Sequence, residues 1–561
     1  MIKKRLTYGF LITALTVCTV LLSAQQDAPP LPVEALRVFT DRTVYISGER
    51  IMISGFIIQN DKIPEESESR VIYHELIRPD GTLTVSGKFP VDHSFSAGYL
   101  IIPEDIVTGY YYLKSYTRWM RNGDPENYNY ELLKIINPLS GEVIKGQVML
   151  SPMQNEDMQT DSNLIGIETG KLAYKAGEEI IITIKEDEKF AEWPGMCLSV
   201  IPRGSLKMDH RKNQQYSYHA YNYDSIRFLP ETRGISLSGR LVGETGEEPV
   251  ANALVNLSVI GSNDIMAIRT NSKGRFYFAL PPLSGNYDLF LCGEEISGKP
   301  SSILIDNDLC SRPVTLPMPE FNLSAEEKEL VLQMAVNYQI TSAFFSDTLS
   351  GGRNEKKSGL PFYGKPDEIL DMDKYIDLPT VEDYFNELVG TVNVRKIEGR
   401  KVFRFNSPRA EMLIYDPLIL IDWVAVNDIN KVLAMAPRAI ERIELVNCPY
   451  IKGNITYGGI ISFVSRKSDF AGIDLPTSGT FLNYQFYQDP TIVKEDFAER
   501  DHKPDSRNTV LWNPLIFQDQ AGLTVVRTTA PDTPGKYIIA VRGTDNKGKT
   551  YSFQREIEVI R

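Results

Sequence analysis

The chain has 561 residues, of which 42% are hydrophobic and 24% are charged. This composition is that of ordinary globular domains, and the length exceeds what one hydrophobic core supports, so several domains are expected. The formal net charge is −13. That acidic balance argues against nucleic acid as a partner, because nucleic-acid binding requires a basic surface.

The first 24 residues have the parts of a secretory signal peptide. Three basic residues at positions 3–5 precede an apolar run, Leu6–Leu22, and small residues follow at Ser23 and Ala24. We therefore predict export, with residues 1–24 removed and a proline-rich linker over residues 25–36. An uncleaved anchor helix is the alternative, since the apolar run is about long enough to span a bilayer.

Residues 37–232 contain a repeated pattern, Tyr-x-x-Gly-Glu-x-Ile-x-Ile, whose two copies begin at Tyr45 and Tyr174. Around both copies, runs of β-branched and aromatic residues alternate with turns, as is typical of β-sandwiches. The glycine permits a turn, and the alternating isoleucines enter a core. The repeat predicts two related sandwiches in tandem, over residues 37–138 and 139–232.

A third β unit is predicted over residues 233–313, where alternating strands such as Ala253–Val259 lie between glycine-containing turns. The pattern then changes to helical. Ser324 and Glu327 form a capping box, and apolar residues continue at helical spacing to about Ile340. Residues 314–377 are therefore predicted to form a helix followed by a mobile linker.

Residues 378–467 predict a small α/β domain. Leu418–Ile421 and Ile460–Val464 are continuous apolar runs, so both are expected to be central strands of one sheet. A helix from Arg438 is expected to cover one face. Residues 468–506 predict a linker, and residues 507–561 predict a partial β-sandwich. The predicted fold class is mainly β, with tandem β-sandwich domains plus a small α/β domain.

Three segments resemble known domain families. Phe39–Glu49, with Gly109–Leu113, resembles the opening strands of macroglobulin-type β-sandwich domains, and Gly535–Val541 looks like part of a similar sandwich. The third unit resembles carboxypeptidase-regulatory-like domains at Leu237–Val242 and Thr270–Phe276. That resemblance implies a structural module, because the family carries no peptidase residues.

The α/β segment resembles the plug domain of TonB-dependent outer-membrane receptors, at Leu420–Val426, Ile440–Glu444 and Tyr457–Val464. It departs from the plug pattern at Trp423, where plugs usually carry glycine after the aspartate. Fewer than a hundred residues follow Lys467, whereas a transmembrane barrel needs about eight or more strands of about ten residues. The resemblance thus implies a plug-like domain without a barrel of its own, in a Gram-negative-type envelope.

No pattern in the sequence signals a catalytic, cofactor or metal site, so we predict a non-enzymatic protein. Cys292-Gly-Glu-Glu295 is close to the Cys-Gly-Glu-Gln motif of thioester-bearing macroglobulins. Glu295 replaces the glutamine whose amide the thiolate displaces, and we therefore expect an ordinary strand end and turn. Cys292 and Cys310 are able to pair in an oxidising compartment, or to remain buried free thiols.

Two groups of residues are candidate partner contacts. Asp422 and Trp423 are predicted to lie where a strand of the plug-like domain ends, and a large aromatic there either closes the domain's own core or docks on a partner. The second group is able to stack on sugars or peptides, or to fold over a sandwich as a loop. It consists of four aromatic residues, Tyr216, Tyr218, Tyr221 and Tyr223.

These features favour an exported scaffold or binding protein of the periplasm or outer membrane, in a complex related to TonB-dependent transport. The expected partner is an envelope protein, such as an outer-membrane receptor or a lipoprotein. No cofactor and no nucleic acid are expected. Two alternatives remain, namely a macroglobulin-like protease inhibitor and a surface glycan-binding protein that uses the four tyrosines.

Overall fold

The computed structural model of the chain shows a mainly β fold, with 32 strands and four α-helices in its described residues. The predicted fold class is thereby confirmed. The predicted signal peptide and the four tyrosines lie outside the described residues. The described residues are 31–60, 62–146, 165–186, 195–207, 226–243, 246–261, 264–294, 301–314, 316–349, 361–397, 399–475, 479–488, 503–516, 523–545 and 548–561.

The first domain is a sandwich of eight strands. They are β1 (Glu34–Thr40), β2 (Val44–Ile46), β3 (Arg50–Gln59), β4 (Val71–Ile77), β5 (Leu83–Pro90), β6 (Phe95–Ile101), β7 (Gly109–Thr117) and β8 (Asn129–Ile136). One sheet has the order β1-β3-β6 and the other the order β2-β8-β7-β4-β5. Fully buried Ile51, Ile53 and Leu113 belong to the core of this domain.

The second domain begins with four strands that repeat the order of β1–β4. They are β9 (Ile165–Thr169), β10 (Ala173–Lys175), β11 (Glu179–Glu186) and β12 (Met196–Pro202). Ile180, Ile182 and Ile184 alternate along β11 and are fully buried, as the period of a strand requires. The chain leaves the domain after β12, when only half of the sandwich has formed.

The third unit follows with six strands. They are β13 (Ser236–Gly243), β14 (Leu254–Val259), β15 (Asp264–Arg269), β16 (Arg275–Ala279), β17 (Asn286–Gly293) and β18 (Ser301–Ile305). The long helix α1 (Ala325–Leu349) comes next and packs back on the first domain. Its Val331, Met334 and Ala335 contact Val44 and Ile46 of β2. The predicted helix therefore packs the segment that follows the third unit against the first domain.

Residues 368–465, called the plug-like domain after the resemblance predicted from their sequence, alternate short helices and strands. They are β19 (Glu368–Asp371), α2 (Val381–Glu387), β20 (Val392–Ile397), β21 (Arg400–Phe405), α3 (Ala410–Ile414), β22 (Leu418–Ile421), β23 (Val424–Ala425), α4 (Ile429–Leu433), β24 (Ile440–Val446), β25 (Tyr450–Lys452), β26 (Ile455–Tyr457) and β27 (Ile460–Ser465). The main sheet has the order β19-β24-β27-β22-β23, while β20–β21 and β25–β26 are separate hairpins.

The two apolar runs of this domain are central strands, as predicted, because β22 and β27 pair in parallel inside the main sheet. Ile419 and Ile421 face the side of the sheet that packs against the helices. Leu418 and Leu420 face the other side, which packs against Ala267 and its neighbours in the third unit. Burial on both faces explains why the run is continuously apolar.

The helix predicted from Arg438 is wrong. A single 3-10 turn, Pro437–Ala439, leads directly into strand β24. The register of β24 against β27 shifts between Ile440 and Arg442, and this bulge places Ile440 and Ile443 three positions apart on the buried side. That spacing imitates the period of a helix. The helix side of the sheet is instead covered by α2 and α4.

The last five strands complete units that were begun earlier in the chain. They are β28 (Thr480–Gln485), β29 (Leu511–Ile516), β30 (Leu523–Thr529), β31 (Gly535–Thr544) and β32 (Thr550–Ile560). Strand β28 pairs with β17 and extends the third unit, although residues 468–506 were predicted to be a linker. The other four strands join β9–β12 in two sheets, β10-β32-β31-β12-β29 and β30-β11-β9.

The second sandwich is therefore a discontinuous domain. Residues 139–232 and 507–561 are predicted to form separate units, and this is wrong, because β31 and β29 flank β12 on its two sides. Four strands alone would leave β12 without any ladder partner, and β11 would pair with β9 on one side only. The chain thus inserts the third unit, α1 and the plug-like domain between the fourth and fifth strands of the second sandwich.

The repeated sequence pattern marks equivalent positions of the two sandwiches, as predicted. Tyr45 lies on β2, which pairs in parallel with β8, and Tyr174 lies on β10, which pairs in parallel with β32. Gly48 and Gly177 follow with φ angles of 86° and 77°. This is the left-handed region that favours glycine, so the pattern encodes the same turn twice.

Candidate partner-binding surface

Asp422 and Trp423 form the two-residue turn between β22 and β23, since Ile421 pairs with Val424 across it. Their φ angles are 45° and 69°. Positive φ at both central residues is the geometry of a type I′ hairpin turn, which usually carries Asn-Gly or Asp-Gly. The tight turn therefore forms even though tryptophan stands where the plug pattern has glycine.

The carboxylate of Asp422 holds this turn in place. It accepts hydrogen bonds from the backbone N–H of Ser465 at 2.8 Å, from the Ser465 hydroxyl at 2.6 Å and from the backbone N–H of Phe470 at 2.9 Å. Charge-assisted bonds of this kind are stronger than neutral ones. Asp422 thus ties the turn to the end of β27, which is a structural role within the domain.

Trp423 is half-buried against a residue of its own chain. Its ring centroid lies 5.8 Å from that of Tyr363, whose hydroxyl donates to Glu444 Oε2 at 2.6 Å. The next residue, Val424, is fully buried with Phe290 of the third unit. The turn therefore lies beside a junction between two units, and much of the rim predicted as a partner contact is occupied by the chain itself.

A more exposed apolar feature, which was not predicted from the sequence, lies on helix α3 and the residue that follows it. Leu413, Ile414 and Tyr415 are 55%, 70% and 42% exposed, while the preceding Met412 is buried in the core. Met412 is the one buried position of this five-residue helix, and the three residues that follow Met412 face outward. A run of three exposed apolar side chains is unusual in a folded protein unless it has a function, so this run is a candidate interaction site.

The hairpin β20–β21 lies next to α3 and carries many cationic side chains. Arg404 on β21 forms an ion pair with Asp416, which follows α3 closely. Arg395, Lys396, Arg400 and Lys401 are all exposed. We call the described residues of 392–416 the ribbon–helix surface, because the basic hairpin and the apolar residues of α3 adjoin each other there.

Cys292 lies on β17 and is 2% exposed. Burial raises the pKa of its thiol to about 12, and the thiolate is the reactive form of cysteine. Its Sγ lies 3.6 Å from the carbonyl oxygen of Ala425. Glu295 lies outside the described residues. Cys292 and Cys310 are both free thiols, the second of the two states considered for them.

A buried polar junction attaches the third unit to the first domain. Glu231 accepts hydrogen bonds from the Tyr73 hydroxyl at 3.0 Å and from the backbone N–H of Ser236 at 2.6 Å. Burial raises the pKa of Glu231 to about 7; nearby Arg118 opposes this shift and Asp308 adds to it. The junction therefore contains a carboxyl group that changes charge near neutral pH.

Two further properties concern the described part of the chain. Within it, no cluster of three or more histidine, cysteine, aspartate or glutamate residues is arranged to hold a metal ion. None of its helices combines the length and the apolar character that crossing a bilayer requires. The four tyrosines proposed as a stacking cluster lie outside this part, so that role stays a prediction.

The fold and the surface define a multidomain, mainly β chain whose inserted α/β domain presents a basic hairpin beside exposed apolar residues. The sequence matches no protein-family model, and no curated protein matches it. Solved structures that match include an alpha-2-macroglobulin from Salmonella reacted with methylamine, with 9% identity and a TM-score of 0.24. A trypsin-activated alpha-2-macroglobulin from Escherichia coli has 10% identity and a TM-score of 0.24.

The match to the Salmonella protein covers 95% of this chain but 40% of the other, and the match to the Escherichia coli protein covers 94% and 42%. The chain thus spans well under half the length of these macroglobulins. Dimeric latent PorU from Porphyromonas gingivalis is 10% identical, with 49% of this chain and 34% of the other covered and a TM-score of 0.16. TM-scores this low support no conclusion about activity or partners.

Proposed function

We propose that this chain is an exported, non-enzymatic binding protein of the cell envelope, and that the ribbon–helix surface of its plug-like domain contacts an envelope protein. The exposure of Leu413, Ile414 and Tyr415 carries the proposal. Full burial of an exposed leucine or isoleucine contributes roughly 1.5–3 kcal/mol, and these side chains, being 42–70% exposed, would contribute a corresponding part of it. Tyr415 and the neighbouring arginines of the hairpin are of the residue types that dominate a typical interface.

The architecture suits a binding protein. The plug-like domain belongs to an insertion whose flanking chain segments both lie in the second sandwich, and α1 packs on the first domain. The insertion is therefore anchored at two places. A domain held in this way presents its surface in a fixed orientation, and less conformational entropy is lost when a partner binds.

The compartment and the kind of complex rest on the sequence. The basic, apolar and small residues of positions 1–24 support export. The resemblance of Leu420–Val426 and Tyr457–Val464 to receptor plugs supports an outer-membrane complex related to TonB-dependent transport. We propose an outer-membrane receptor or a lipoprotein as the partner.

A photo-crosslinking amino acid at position 414 tests the proposal in the producing cell. Ile414 is replaced because it is the most exposed residue of the apolar run, and Leu139, 82% exposed and outside the plug-like domain, provides the matched control. We expect a discrete crosslinked product with an envelope protein from position 414 and none from position 139. Absence of a product at 414, or the same product from both positions, would contradict the proposal.

A further inference from the structure

The basic hairpin of the ribbon–helix surface sorts its side chains onto two faces. Arg395 lies opposite Val402, and Arg400 lies opposite Ile397. Because strand residues alternate between faces, these four share one face with Arg404. The opposite face carries buried residues of the core, namely Val392, Phe403 and Phe405. The three arginines therefore lie on the face that points away from the core.

The hairpin has a positive charge that contrasts with the rest of the chain. Residues 392–405 contain five cationic side chains and one carboxylate, so their local charge is +4, whereas the whole chain has a net charge of −13. Among the described residues, no carboxylate lies within ion-pair distance of Arg395, Lys396 or Arg400. Within the described part of the hairpin, these three cations are the ones that an external anion would meet.

The pairing of the two strands adds an electrostatic cost. Lys396 lies directly opposite Lys401, and like charges at directly paired positions destabilise a sheet. Lys401 has a partner in Glu382, at 2.5 Å, while Lys396 has none among the described residues. An anionic ligand at the end of the hairpin would reduce the repulsion between the two lysines.

The shape of the hairpin indicates which anion fits. It is a two-stranded ribbon that joins no other described strand, so its outer edges present backbone groups to which an extended peptide is able to add. The planar fork of an arginine matches a carboxylate with two parallel hydrogen bonds. An extended peptide segment with carboxylate side chains would add to the strand edge and pair with the arginines, and its apolar residues would cover Ile414.

We propose that the hairpin β20–β21 binds a carboxylate-rich, extended segment of the partner protein through Arg395 and Arg400, next to Arg404, which is paired with Asp416. This inference rests on the proposed function, because it names the class of segment that the ribbon–helix surface takes. The segment lies along the arginine face and adds backbone hydrogen bonds at an outer edge of the ribbon.

The test uses the mature chain and a fluorescent decapeptide of alternating glutamate and threonine. We expect saturable binding that weakens as salt increases. The double variant R395E/R400E should weaken it at least about tenfold, and R395K/R400K should weaken it less, because lysine keeps the charge but loses the fork. The control R203E/R527E makes the same charge change at exposed sites on the second sandwich and should bind like the unaltered chain.

Three outcomes would overturn the inference. The first is equal peptide binding by R395E/R400E and the unaltered chain. The second is equal weakening by the control pair, which would mean that net charge alone attracts the peptide. The third is stronger R395/R400-dependent binding to phosphatidylglycerol vesicles or to a short DNA duplex than to the peptide. A crosslink at position 414 together with any of these outcomes would leave the proposed function intact and remove this inference alone.

Discussion

Replacement of Gly48 by alanine tests how helix α1 is held on the first domain. Gly48 has a φ angle of +86°, and a Cβ added there would lie 2.1 Å from Tyr338 Oη and 2.6 Å from Tyr338 Cζ. Tyr338 belongs to α1. The glycine of the repeated pattern therefore permits a left-handed turn and also leaves room for a side chain of the helix.

The cost of the positive φ angle and the cost of the overlap with Tyr338 can be measured separately. An alanine with positive φ costs roughly 1–2 kcal/mol, and forcing extra atoms into a packed site costs roughly 1–3 kcal/mol more. Gly81 provides the control, because it has the same φ of +86° and nothing lies within 4 Å of its added Cβ. G81A should therefore show the first cost alone, and G48A should show both.

Hydrogen–deuterium exchange of peptides from α1 is the assay, since local opening of the helix is the expected consequence. In G48A we expect exchange in residues 325–344 to be about tenfold to a hundredfold faster, which corresponds to about 1.4–3 kcal/mol. In G81A the exchange of α1 should be unchanged. Adding Tyr338→Phe to G48A removes the closest atom and should restore part of the protection. Equal exchange of α1 in G48A and G81A would mean that the contact between Gly48 and Tyr338 does not hold the helix on the first domain.

Three further predictions concern single residues. The pKa of Glu231 is about 7 in the folded chain and 4.5 for an exposed glutamate, so its contribution to stability is complete below pH 4.5 and is lost as pH rises through 7. The free energy of unfolding should therefore fall by roughly 3 kcal/mol over this range. Denaturation midpoints measured across the range should show that E231Q lacks this fall. The free energy of unfolding of W423G should exceed that of W423A by about 1 kcal/mol, because alanine keeps a Cβ at a φ angle of 69°. Thermal denaturation measures this difference. Native Cys292 should resist maleimide while half-exposed Cys448 reacts, as mass spectrometry would show; rapid labelling of Cys292 would contradict its burial.

The sequence predicted individual strands better than it predicted domain boundaries. The Tyr-x-x-Gly-Glu pattern at Tyr45 and Tyr174 identified equivalent strands, because the turn that each pattern encodes is local. It did not reveal that residues 511–560 complete the second sandwich, because ladder hydrogen bonds between β12 and β31 join segments hundreds of residues apart. A local sequence pattern does not determine which distant strand pairs with the free edge of a sheet.

The candidate surface was predictable only in part. The end of β22 was placed correctly at Asp422, but its carboxylate bonds to Ser465 and the packing of Trp423 on Tyr363 depend on residues distant in sequence. The apolar run at Leu413–Tyr415 was visible in the sequence, yet apolar residues usually read as core. Its exposure follows from the shortness of α3, which only the folded domain shows.

We propose that the plug-like domain binds an envelope protein through the ribbon–helix surface. Hydrogen–deuterium exchange of the mature chain, alone and in complex with the protein crosslinked at position 414, measures this most directly. We expect partner-dependent protection to be concentrated in residues 392–416, with little change in β1–β8. Protection confined to the two sandwiches, with unchanged exchange in residues 392–416, would contradict it.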